Sequence, residues 1–211
     1  MQSSKAADTT LAGHLWTQQA GAPGVLRNII LAFAGSLFVA ASAQVTVPMY
    51  PVPMTMQTFA VLVVGMAYGW RLGGATLLLY AAQGAMGLPV FASFAAGPGV
   101  LMGPTGGYII GFVPAAMLAG WLAERGWDRN LWSTLLAMAM AKVAIFVPGL
   151  AWLTVFFATA GAAHVAGSGL GAAFSAAIAA GLMPFLIGAV LKTALAAAVL
   201  PLAWKLVKRR G

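Results

Sequence analysis

The sequence predicts an all-α integral membrane protein: a six-transmembrane-helix bundle with apolar outer capping loops. Three observations carry this. First, 62% of the 211 residues are hydrophobic and 7% are charged, whereas about a quarter of a soluble domain is charged; too few polar side chains remain to coat a surface facing water. Second, the apolar runs are long and lack two-residue alternation, which favours helices over a barrel. Third, the basic residues are segregated. Lys5 and Arg27 precede the first run, Arg71 lies between the second and third, and Arg125 and Arg129 lie between the fourth and fifth. Lys205, Lys208, Arg209 and Arg210 close the chain. The opposite connections hold no Lys or Arg. By the positive-inside bias, both termini are expected in the cytoplasm. The net charge of +8 is thus a topology signal, and no nucleic-acid partner is expected.

The elements follow in order. Residues 1–27 are mixed and polar, without the compact apolar core of a signal peptide, and are expected as a cytoplasmic segment. The transmembrane domain is expected over 28–205, with a basic cytoplasmic tail at 206–211. Each crossing needs about 20 apolar residues. The first runs from Asn28 to Val45 and leads into the proline-rich outer loop TVPMYPVPMTM. The second, Gln57 to Trp70, is short, and the third covers Leu72 to Leu88. The outer segment PVFASFAAGPGVLMGPT precedes a fourth span, Gly106 to Ala123. ERGWDRN makes the inner turn before a fifth span, Leu131 to Ala160, in which Pro148-Gly149 is expected to kink or break the helix. A short outer helix is expected within GAAHVAGSGLGAAFSAAIAAG, before a last span from Leu182 to Trp204. Connecting loops are normally short and polar; these two outer segments are long and apolar, as lids over an outward-opening pocket would be. The seven tryptophans suit interfacial anchoring.

Neither nucleotide fingerprint is present. GxxxxGK[ST] does not occur, and no GxGxxG follows a strand, so uphill transport would draw on an ion gradient or a partner. In PTGGY, Thr105 is expected to cap the fourth span after Pro104. Gly106 and Gly107 either ease helix packing or leave backbone free beside Tyr108, whose flat ring and single hydroxyl suit a small heterocycle.

Two lysines interrupt apolar runs. Lys142 lies about eleven residues into the fifth span, near the midplane, and Lys192 lies in the outer half of the last. The three acidic residues, Asp8, Glu124 and Asp128, are all expected at the cytoplasmic side. A mid-helix lysine costs roughly 2.5–3.5 kcal/mol to insert. Its partner is a carbonyl, water or an anionic ligand; a ligand carboxylate is the reading for Lys192, and packing that for Lys142. Ala32, Ser36 and Ala40 recur every fourth residue, a small stripe suited to close packing within the chain or against a membrane partner. His14 and His164 are isolated, and neither metal nor cofactor is expected.

GLPVFASFAAGPGVLMGPTGGYIIGF, PMTMQTFAVLVVG before it and PFLIGAVLK near the end together resemble the BioY family, the biotin-specific S component of energy-coupling factor transporters. The similarity spans about Gln44 to Lys192, with three separated motifs in order. It implies a six-helix bundle in a bacterial plasma membrane, binding biotin near the outer face. It also implies partners: a transmembrane coupling protein, contacted through Ala32, Ser36 and Ala40, and two ATPase subunits. The family commonly reads G-D-x-x-K in the last helix; here Gly188-Ala189-Val190-Leu191-Lys192 keeps the lysine and lacks the acid. The ureido N–H groups would then need other acceptors, among them Tyr108, Thr105, Gln57, Gln83 or backbone carbonyls. The competing readings are an S component for another small anionic vitamin, a self-standing transporter or channel, and an intramembrane enzyme. No nucleophile–base pair or metal cluster lies at membrane depth to serve the last of these.

Overall fold

The computed structural model describes residues 10–13, 24–159 and 169–208. His14 and His164 lie outside them. Besides a short 3-10 turn at Ala92–Phe94 and helical residues 11–13, the described residues form α1 (Gly24–Gln44), α2 (Gln57–Tyr68), α3 (Trp70–Ala85), α4 (Pro98–Met102), α5 (Gly106–Ala123), α6 (Leu131–Thr159), α7 (Leu170–Gly181) and α8 (Phe185–Lys208). Two residue pairs, Thr46↔Thr55 and Val47↔Met54, join the arms of the first outer loop as a minimal antiparallel ladder.

Among the described residues, four helices are long and apolar enough to cross a membrane: α1, α5, α6 and the Phe185–Trp204 part of α8. At 1.5 Å per residue, the 12 residues of α2 and 16 of α3 reach about 18 and 24 Å, short of the roughly 30 Å of hydrocarbon. The expected boundaries move accordingly. The first helix begins at Gly24 rather than Asn28, and the last at Phe185 rather than Leu182. The second stops at Tyr68 because Gly69, at φ +82°, breaks the chain before Trp70. A side chain there would be strained, and its Cβ would lie 2.4 Å from Glu124 Oε1. Glu124 instead accepts the Trp70 N–H at 3.1 Å, tying this turn to the end of α5. Pro148 does not break α6, which continues through it to Thr159.

Small residues let α2, α3 and α5 meet backbone to backbone. A Cβ on Gly65 would lie 2.6 Å from Ala116 O, and one on Gly120 would lie 2.4 Å from the Gly69 carbonyl carbon. Gly65 and Gly73 face each other across the Gly69 turn. Around this crossing the core divides. Leu62, Met66, Leu122, Met138, Leu200 and Trp204 pack at the end carrying Glu124 and Asp128, the charged end. Tyr80, Phe91, Tyr108, Phe112, Ile145 and Leu153 pack toward the long apolar connections, the loop end. Outside, large apolar side chains such as Val25, Leu37, Val143 and Ile187 are exposed, as on helices apolar all round that face lipid.

Candidate ligand-binding site

A cavity of about 200 Å³ opens at the loop end. Both outer connections wall it: Val52, Pro53 and Thr55 from the first, and Phe91, Ala92, Ala95 and Val100 from the second. The remaining wall comes from Gln57 and Thr58 of α2, Thr105, Tyr108, Ile109 and Phe112 of α5, Ile145 and Phe146 of α6, and Phe185 and Lys192 of α8. The chamber is therefore chiefly aromatic and aliphatic, with one ammonium. Its aromatics meet edge to face: Tyr108 on Phe146 at 6.2 Å and 89°, Phe146 on Phe185 at 6.4 Å and 70°.

The polar groups are joined in a chain. Lys192 Nζ donates to the Thr55 carbonyl at 2.5 Å. Thr55 Oγ1 donates to Gln57 Oε1 at 3.0 Å, Gln57 Nε2 donates to the Tyr80 hydroxyl at 2.6 Å, and that hydroxyl donates to Val90 O at 3.0 Å. One run of bonds thus links α8, the first loop, α2, α3 and the second loop. An ammonium has three donors, so Lys192 keeps capacity for a ligand while holding the first loop.

The structure brings Lys192, Tyr108, Thr105 and Gln57 to one cavity and leaves three expected residues out of it. A Cβ on Gly106 would lie 1.8 Å from Leu101 O, and one on Gly107 would lie 2.3 Å from Trp152 Cβ. These glycines pack closely against the second loop and α6. Gln83 is buried on α3, away from the cavity wall, and its Oε1 has no partner among the described residues. Thr105 occupies the cap position of α5 without a side-chain cap, because its hydroxyl donates to Val100 O at 3.4 Å. The hydrogen of the Tyr108 hydroxyl is engaged with Gly181 O at 2.9 Å, so the ring, more than the hydroxyl, faces the site. Among the described residues no three His, Cys, Asp or Glu side chains gather as metal ligands.

Lys142 does not line the cavity. Its ammonium donates to Ala189 O and Thr193 Oγ1, pinning α6 to α8 within a turn of Lys192. The small stripe of α1 also turns inward: Ser36 is fully buried and donates to Phe33 O, and Ala32 and Ala40 are half-buried. Beside it, a Cβ on Gly35 would lie 2.8 Å from Thr76 and Tyr68. Burial of Ser36 fits the packing reading of this stripe, while Ala32 and Ala40 stay half-buried.

Sequence reasoning missed Phe91, Phe146, Phe185 and the Thr55 carbonyl. In helices apolar on every face no periodicity separates a lining aromatic from a packing one. The motif stretches PMTMQTF and GLPVFASF did contain Thr55 and Phe91.

Fold and site together define a polytopic helical membrane protein with a small-molecule chamber at one end. A model of the BioY family matches residues 9–209. The chain belongs to the BioY family. A probable biotin transporter BioY from Pyrococcus horikoshii is 37% identical over 155 residues, 72% of this chain and 82% of that protein. A biotin transporter BioY from Thermotoga maritima is 41% identical over 100 residues, 47% of this chain and 59% of that protein. The crystal structure of the S-component for biotin from an ECF-type ABC transporter shares the fold, with a TM-score of 0.69 at 18% identity over 88% of this chain and 95% of that one.

Proposed function

We propose that this protein is the membrane subunit that captures biotin for uptake, energised by a partner module. The observation that carries the reading is Lys192: a cation with spare donors in an otherwise apolar, aromatic-walled chamber. No carboxylate of the chain bonds it among the described residues. Biotin's bicyclic ring and aliphatic tail suit such a wall, and its carboxylate would offset the cost of burying the ammonium. Thr105, Gln57, the Tyr108 hydroxyl oxygen and nearby carbonyls are the candidate acceptors for the ureido N–H groups. This accommodates Ala189 at the acid position of the resemblance. The names of the relatives point to the same ligand.

Six crossings are completed by α2 and α3, which local bilayer thinning and cover by α5 and α1 would accommodate. Both termini lie in the cytoplasm, following the segregation of Lys and Arg. The partners are a transmembrane coupling protein and two ATPase subunits, consistent with the absence of a phosphate-binding loop in the sequence. Equilibrium binding to the purified full chain, with desthiobiotin and thiamine as competitors, tests the reading. Saturable biotin binding displaced by desthiobiotin and not by thiamine is expected. Displacement by thiamine, or no binding at micromolar biotin, overturns the assignment. Flux without ATPase partners would replace it with a self-standing transporter or channel.

A further inference from the structure

We infer that Gln44, outside the cavity wall, is a positioning residue that sets how long the cavity retains its ligand. It does so by clamping the turn that walls the cavity from the second outer connection. Gln44 is the last residue of α1. Its Nε2 donates to Phe91 O at 3.0 Å and to Ala40 O at 3.2 Å, and its Oε1 accepts the Phe94 N–H at 3.0 Å. One side-chain amide therefore grips both ends of the Phe91–Phe94 turn across nearly fifty residues of sequence. The bond to Ala40 fixes the amide itself to its own helix.

The gripped turn does not rest in a relaxed conformation. Ser93 and Phe94 sit at φ 57° and 58°, the left-handed region that side chains other than glycine rarely occupy. Such a conformation persists only where its surroundings over-determine it. Three groups do so here. The Gln44 amide holds the flanks, the Phe91 N–H donates to Ala95 O at 3.1 Å, and the Tyr80 hydroxyl holds Val90 O. The fixed turn drives the Phe91 ring onto Gly84, where a Cβ would lie 2.1 Å away, and edge-on to Tyr80 at 5.6 Å and 81°. Phe91, Ala92 and Ala95 then form cavity wall. Of these restraints, Gln44 is the one supplied by α1, a helix with few buried residues. Without it, the Phe91 carbonyl and Phe94 N–H turn to water, the two strained residues relax, and the wall opens. Phe91, Ala92 and Ala95 face bound ligand only while the turn is held, so loss of the clamp speeds escape.

The inference rests on the biotin reading for its ligand, and the experiment separates the two. In the purified full chain, Gln44→Ala should raise the biotin dissociation rate about tenfold, the scale of one lost net hydrogen bond. Without ligand, hydrogen exchange should quicken about tenfold in peptides covering residues 88–97 and stay unchanged in α5 and α6. Gln44→Glu keeps the acceptor for Phe94 but sets a carboxylate against the Phe91 carbonyl, so it should also speed release. Unchanged dissociation from Gln44→Ala overturns the inference. Exchange quickened throughout the bundle also overturns it, because Gln44 would then be a general staple of the fold. If the wild-type chain binds no biotin, the ligand reading falls, and the exchange arm alone decides the clamp: local quickening keeps it and unchanged exchange removes it.

Discussion

The two ends of this bundle are built from the same apolar helices and yet are opposites. At the charged end α2, α3 and α5 touch through glycine and alanine, so that Gly65, Gly73 and Gly120 leave no room for a methyl group. At the loop end Gly84, Gly106 and Gly107 also pack closely, against Phe91, Leu101 O and Trp152, yet large aromatics wall a cavity of about 200 Å³ there. The charged end is closed by backbone contact, and the loop end by two connections held through side-chain hydrogen bonds. Stability should therefore reside mainly at the closed end, and ligand recognition at the hollow one.

The largest expected effect tests the closed end. Gly120→Ala places a methyl group against the Gly69–Trp70 peptide, where no flexible side chain can yield. A loss of about 3 kcal/mol of stability is expected, read as a large fall in melting temperature. At the loop end, a methyl group on Gly99 would meet nothing within 4 Å, and Gly99→Ala should stay within about 0.5 kcal/mol. Equal losses from the two substitutions would erase the distinction between the ends.

Next comes Lys192→Ala. It should weaken biotin binding by about two decades or more, roughly 2.7 kcal/mol, while the melting temperature of the ligand-free protein barely moves. A large fall in melting temperature would make Lys192 a structural strut through Thr55 and not a ligand group.

Tyr108→Phe is expected to be milder. It removes the bond to Gly181 O at a cost of about 1 kcal/mol, and biotin affinity should fall less than with Lys192→Ala. A larger loss of affinity than Lys192→Ala causes would shift the centre of recognition to the Tyr108 hydroxyl.

The smallest effect belongs to Asp128 in the turn between α5 and α6. It is buried; its Oδ2 accepts from Trp204 Nε1, and its Oδ1 has no partner among the described residues. Burial raises its carboxyl above the ordinary 3.8, against the lowering effects of the Trp204 bond, its own backbone and Arg129. A raised folded value means that the native state holds more protons than the unfolded one between 3.8 and that value. This group's contribution to stability therefore grows as pH falls through the window and is lost as pH rises. Relative to Asp128→Asn, the wild type should gain melting temperature on acidification toward the ordinary carboxyl range. Parallel profiles for the two proteins would remove Asp128 as a source of pH dependence.

How much of this was legible in the sequence differs by end as well. Apolar runs located the helices to within a few residues, because length and hydropathy decide what can cross hydrocarbon. Gly69, at φ +82°, ends α2 sooner than the apolar run does. Glycine in Gly106-Gly107 pointed to a close approach, but only packing says that the approaching group is Leu101 O or Trp152. The stripe of Ser36 suited packing within the chain or against a partner, and the sequence did not show that Ser36 itself is buried within the chain. Lys142 and Lys192 were conspicuous as charges in apolar runs. Their partners were not, since Thr55 lies 137 residues from Lys192 in sequence. The aromatic wall was the least legible part, because a helix apolar all round carries no sign of which face looks into a cavity.

The most direct test of the central claim, that the loop-end cavity reads a ligand carboxylate through Lys192, is a double-mutant cycle. Equilibrium binding of biotin and of its uncharged amide is measured on the wild type and on Lys192→Met. The wild type should prefer biotin by about a hundredfold, and Lys192→Met should bind the two ligands alike, a strong coupling between ammonium and carboxylate. A preference for biotin that survives Lys192→Met unchanged would contradict the claim and place the carboxylate elsewhere.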